Sequence, residues 1–109
     1  MDNFNIKGII SSLDRGLLCN LEKISLSQLS LSLEARIRAI NRIIEKEFNV
    51  PIRNDSAKRK IDFLVINIDY LEKRIEDITW LLNKKREFKC SDKMMFKLLL
   101  LKNKIDESQ

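Results

Sequence analysis

From residue 57 onward, Ala57, Ile61, Leu64, Ile68, Leu71, Ile75, Ile78 and Leu82 follow one another at steps of 4, 3, 4, 3, 4, 3 and 4 residues. Such steps return a side chain to the same face of a helix turning every 3.6 residues, whereas a strand, with period two, would scatter them over both faces. No polar residue interrupts the seam, and a seam held for more than three heptads specifies a helix that lies against another helix. A second apolar stripe, Phe63, Ile66, Tyr70 and Trp80, occupies the opposite side, with Lys73 and Asp77 breaking it in the middle. A helix apolar on two sides is usually sandwiched between neighbours. The pattern therefore predicts a long helix over 57–86, central to a bundle or to a dimer, closed by Lys84, Lys85 and Arg86 at the negative end of its dipole.

The other segments offer faces to cover it. Ile6, Ile9, Ile10, Leu13, Leu17, Leu21 and Ile24 keep helical spacing, and Gly8 and Gly16 weaken that segment. Each glycine costs about 1 kcal/mol relative to alanine in a helix interior, so one kinked helix or two short ones with a break near Gly16 is expected. Residues 24–33 alternate leucine with serine as a half-buried strand would, yet Ser25 with Gln28 three residues on is also a capping box, and Ser32 before Glu34 is a second possible start. From Leu33 the face Leu33, Ile37, Ile40, Ile44 and Phe48 is plainly helical, and Asn49-Val50-Pro51 ends it. Asn54, Asp55 and Ser56 are candidate caps for the long helix, and Ser91 or Asp92 for a last one over 91–105, whose apolar residues are Met94, Met95, Leu98, Leu99, Leu101 and Ile105. The expectation is an all-α fold, a small bundle of about four helices in which the long helix forms a hairpin with the C-terminal one. A chain of 109 residues has room for one core, so residues 1–109 are read as a single domain.

Charge is unevenly placed. The total is +5, but residues 34–60 carry a net +4, residues 61–83 a net −3 and residues 84–104 a net +6. Two basic blocks flanking an acidic stretch fit an acidic partner or attraction between segments of one or two chains. Cys19 and Cys90 lie far apart, with no CxxC and no histidine to complete a zinc site, and read as reduced thiols of a cytoplasmic protein. There is no secretory signal pattern, and the longest apolar run, Leu98–Leu101, is far short of the roughly 20 residues of a membrane span.

Enzymatic chemistry has little to draw on. Histidine is absent, there is no Gly-rich phosphate loop, and Glu45, Glu47, Glu72, Glu76 and Asp77 read as charged helix faces rather than metal ligands, with Glu72 and Glu76 placed to pair with Lys73, Arg74 or a basic segment. No cofactor, metal or small-molecule substrate is expected. The reading that remains is a non-enzymatic protein–protein interaction module of the adaptor, regulator, assembly-factor or chaperone type, as a homodimer, with a partner protein, or both. It would bind through an apolar helix face rimmed by Lys and Arg. Candidate partner-binding residues are Phe63, Ile66, Tyr70, Trp80, Met94, Met95 and Leu98, and the packing seam is Ile61, Leu64, Ile68, Leu71, Ile75, Ile78 and Leu82. The alternative is a dimeric nucleic-acid-binding regulator in which Arg36, Arg38, Arg42, Lys58, Arg59, Lys60, Lys84, Lys85 and Arg86 contact phosphates. No zinc finger, recognisable helix-turn-helix or basic patch with interleaved aromatics accompanies those cations.

Overall fold

The computed structural model describes residues 5–49 and 55–107, and 89% of these are helical, in four α-helices with no strand among them. The helices are α1 (Ile6–Asn20), α2 (Leu26–Phe48), α3 (Asp55–Lys84) and α4 (Asp92–Glu107), with a single 3-10 turn at Lys85–Glu87 between the last two.

α1 begins at Asn5, whose side-chain oxygen accepts from the Gly8 amide at 3.0 Å. A Cβ on Gly8 would come within 2.7 Å of that Asn5 side chain, so the glycine makes room for the cap. The expected break at Gly16 does not occur. α1 runs through it unbroken, and the chain turns at 21–24 instead. Burial of Leu17 and partial burial of Leu13 and Leu18 against the core offset the local cost of the glycine.

The leucine–serine alternation of 24–33 is helical. The Ser25 hydroxyl accepts from the Gln28 amide while the Gln28 side chain accepts from the Ser25 amide, completing the capping box. Leu26, Leu29 and Leu33, at steps of three and four, are fully buried. Leu31, which a strand would have turned to the same side as Leu29 and Leu33, is 66% exposed. The Leu26 amide, left unpaired by the cap, donates to the Asp92 carboxylate at 3.0 Å, and the Lys85 ammonium meets the same carboxylate at 3.3 Å. The first residue of α4 thus closes the start of α2, a junction reinforced by the Lys93–Glu22 ion pair. α4 has its own cap in Ser91, whose hydroxyl accepts from the Met94 amide.

α3 starts at Asp55 and gives way to the 3-10 turn at Lys85, so the helix predicted over 57–86 is recovered with its last turn tightened. Its seam faces inward: Ile61, Leu71 and Ile78 are buried, and Leu64, Ile68, Ile75 and Leu82 are half-buried. α4 returns along α3 after the short connection, but the most extensive packing is between α2 and α3, joined across residues outside the described set. All four helices contribute to one core of Leu17 and Leu21, Leu26, Leu29 and Leu33, Tyr70, Leu71, Ile78 and Leu81, and Met95, Phe96, Leu99 and Leu100.

That core uses only the first half of α2 and the second half of α3. Ile37 and Ile40 still pack against it, and beyond them the other halves continue as a two-helix arm, with Ile61 buried, Ile44 half-buried and Ile43, Phe48, Phe63 and Val65 exposed. The molecule is correspondingly long, 54 × 31 × 20 Å, with a radius of gyration of 16.1 Å. A compact domain of this length would have about 13 Å. Its accessible surface, 7894 Å², also exceeds the roughly 6300 Å² expected for a compact monomer of 12.9 kDa.

Candidate partner-binding surface

A polar cluster clips α1 to α3. Tyr70 Oη donates to Asp14 Oδ1 at 2.5 Å, and Arg74 donates to both Asp14 oxygens, through Nε at 3.0 Å and Nη2 at 3.1 Å. Arg74 Nη1 also donates to Asp77 at 2.9 Å, and the guanidinium lies 5.1 Å from the centre of the Tyr70 ring. Arg74 is only 6% exposed, the one charged residue that is buried among the described residues. Burial raises the Tyr70 hydroxyl above its ordinary value, and the Asp14 bond and charge push it further. For Arg74 burial acts the other way, but the bond and charge of Asp14, with the bond to Asp77, outweigh it and hold the guanidinium above its usual range. The cluster is a structural fastening, satisfied from within.

Beside it, α1, α3 and α4 enclose a groove of about 930 Å³. Its floor is apolar, with Ile10, Leu18, Ile66 and Leu100, and the Asp14–Tyr70–Arg74 cluster forms part of its wall. Its rim is basic: Lys7, Arg15, Lys73, Lys97 and Lys104 stand over it against the carboxylates of Asp69 and Glu107. None of those five cations forms an ion pair among the described residues. Asn103 also lines the groove, and its side-chain amide nitrogen is buried without an acceptor among the described residues.

The outer face of α4 adjoins this groove through Leu101. Met95, Phe96, Leu99 and Leu100 fill the inward face, while Met94, Leu98, Leu101 and Ile105, at steps of 4, 3 and 4, turn outward and are 45–60% exposed. At 100° per residue these four fall within about 60° of one another on the side opposite Asn103 and Phe96. The same wheel puts Lys93, Lys97 and Lys104 along one edge of the stripe and Lys102 along the other. Lys102 reaches over the Trp80 ring, with Nζ 5.4 Å from its centre, and Trp80 is 42% exposed.

The seven residues predicted to bind a partner are thus divided. Met94, Leu98, Phe63 and Trp80 are exposed and Ile66 is half-buried in the groove floor, but Tyr70 and Met95 belong to the core. Tyr70 turned inward because the second stripe of α3 is covered by α1 at that level, and Met95 because α4 carries two apolar faces and Met95 lies on the inner one. Leu101 and Ile105, read only as part of the last helix's apolar face, join Leu98 on the outer stripe. Glu72 and Glu76 form no ion pair among the described residues. Arg74 turns inward to Asp14 and Asp77 instead.

The nine predicted phosphate contacts do not form one patch. Lys58, Arg59 and Lys60 sit about 38 Å along α3 from Lys84, Lys85 and Arg86, at 1.5 Å per residue. Lys60, Lys84 and Lys85 are already engaged with Glu47, Glu87 and Asp92. Arg36, Arg38 and Arg42 are exposed on α2. Cys19 and Cys90 are both exposed free thiols. Among the described residues no group of three His, Cys, Asp or Glu is placed to hold a metal ion, and no helix is long and apolar enough to cross a membrane. Comparison with protein-family models, with curated proteins and with solved structures returns no match.

Proposed function

We propose that this chain is a protein-binding helical module whose docking face is the outer stripe of α4 together with the neighbouring groove. One observation carries the reading. α4 is apolar on two opposite faces, and the four-helix core covers only one of them. The four large side chains of this contiguous stripe are each 45–60% exposed, and the main apolar patch of a soluble protein is often functional. The lysine edges add orientation without desolvating a charge, since long basic side chains can lie along apolar surface with their ammonium groups in water. Trp80 at the far edge is the residue type most often found to dominate binding energy when a partner closes over it.

The same geometry favours a second reading, in which two copies pair through α4. Steps of 4, 3 and 4 make half of a coiled-coil seam, which the same stripe of a second copy completes in an isologous pair.

A measured solution mass with wild-type chain and the Leu98→Asp variant, followed by affinity capture from the source cell with both, tests the proposal. Docking through α4 predicts a defined complex, with a second copy or with another protein, that Leu98→Asp abolishes while leaving helicity unchanged. A monomer that captures nothing, or captures the same proteins with and without the substitution, refutes it.

A further inference from the structure

Resting on that reading, we infer that the groove between α1, α3 and α4 seats an acidic amphipathic helix supplied by a partner protein. Its volume of about 930 Å³ gives room for a short segment of chain, and two turns of helix are about 11 Å long. The lining fits the two faces of such a helix. Ile10, Leu18, Ile66 and Leu100 form an apolar floor for residues at i, i+3, i+4 and i+7, the recurrent way a helix reads a hydrophobic groove.

Charge selects the sign of the partner. Asp14 is neutralised within the wall by Arg74, which leaves Lys7, Arg15, Lys73, Lys97 and Lys104 against Asp69 and Glu107, a net of three positive charges around one opening. These are exposed side chains on three helices, able to meet carboxylates on both edges of an inserted helix, and complementary rims chiefly set partner choice and association rate. A second copy of α4 is disfavoured as the occupant because lysines flank its stripe on both edges, at positions 93, 97 and 104 on one and 102 on the other. The Asn103 amide, a buried donor lacking an acceptor, gains one from a carboxylate or a frayed helix carbonyl on the incoming segment.

The test uses the full chain and a display library of peptides of roughly 14 residues, about four helical turns. Peptides enriched on the wild-type chain are expected to be net negative with apolar residues at helical spacing. The triple variant Lys73→Glu, Lys97→Glu, Lys104→Glu, checked for unchanged helicity, should bind them about tenfold more weakly or worse, and a fresh selection on it should reverse the charge preference. Enriched peptides that are neutral or basic, binding indifferent to the triple variant, or no enrichment at all overturns the inference. So does competition by a random DNA duplex acting through the same three lysines, which would assign the rim to phosphate. If peptide capture is lost in Leu98→Asp but survives charge reversal, the docking face stands and only the acidic helix fails.

Discussion

Replacing Asp14 with alanine removes the acceptor of three bonds at once: Tyr70 Oη at 2.5 Å, Arg74 Nε at 3.0 Å and Arg74 Nη2 at 3.1 Å. The Asp14 side chain is 14% exposed and that of Arg74 8%, so solvent screens the pair little. Breaking a buried pair by removing one partner costs about 3–5 kcal/mol. Arg74 keeps its bond to Asp77, which lowers that figure, while Tyr70 is left with a buried hydroxyl and no acceptor, worth about 1–3 kcal/mol. The expected loss is therefore about 3 kcal/mol, a large share of the ~5–15 kcal/mol that holds a domain folded. Urea denaturation followed by far-UV circular dichroism reads it, in a cycle with Arg74→Met and the double variant. Coupling of about 2 kcal/mol between the two sites is expected, because the double variant leaves no buried guanidinium without its Asp14 partner, while the Tyr70 hydroxyl is stranded equally in Asp14→Ala and in the double variant. Amide exchange should show α1 losing protection first, since the cluster is its polar tie to α3. A loss below about 0.5 kcal/mol, or strict additivity of the two substitutions, would refute the assignment of Asp14 as a buried fastening.

Tyr70 is the only tyrosine, so phenolate absorbance titrates it alone. Its folded pKa is raised above the ordinary 10.0, so its contribution to stability is fully present below pH 10 and lost as pH rises beyond it. No phenolate should form near pH 10 while the helices persist, and a half-ionised Tyr70 in an intact fold would contradict the burial. Gly16→Ala adds a methyl where nothing lies within 4 Å, inside a continuous helix, and should raise stability by about 1 kcal/mol in the same urea assay. Gly8→Ala gains the same propensity but collides with the Asn5 cap, and should stay near zero. Ser25→Ala and Asp92→Ala each remove an acceptor at the start of α2, costing about 1 kcal/mol apiece, with Asp92→Ala also loosening the Lys85 contact.

The architecture was legible wherever periodicity and capping agree. The seam of α3, the end of α2 before Pro51 and the capping box at Ser25 all follow from local chemistry, because a helix is specified by residues within a turn or two of one another. Gly16 misleads for the opposite reason: intrinsic propensity is a small local term, and the burial of Leu17 overrides it from a distance. Tyr70 and Met95 illustrate the main gap. Each sits on a face that spacing identifies as apolar, but which of two apolar faces meets the core depends on where other helices arrive. The Asp14–Arg74 pair left a fainter trace. Asp14 interrupts the apolar face of α1 between Ile10 and Leu17, and Arg74 interrupts the column Tyr70, Ile78 and Leu81 on α3, two opposite charges on two buried faces. Nothing within either helix joins them, since they are 60 residues apart.

The two-helix arm has a hydrodynamic consequence. A particle 54 × 31 × 20 Å meets more friction than a sphere of equal mass, and it samples column pores by its long dimension. The monomer of 12.9 kDa will therefore elute from a size-exclusion column ahead of globular standards of its own weight, at a position easily taken for a pair. Light scattering, which weighs the particle regardless of its outline, will separate one chain from two. Sedimentation velocity will report a frictional ratio above that of a compact globule for either.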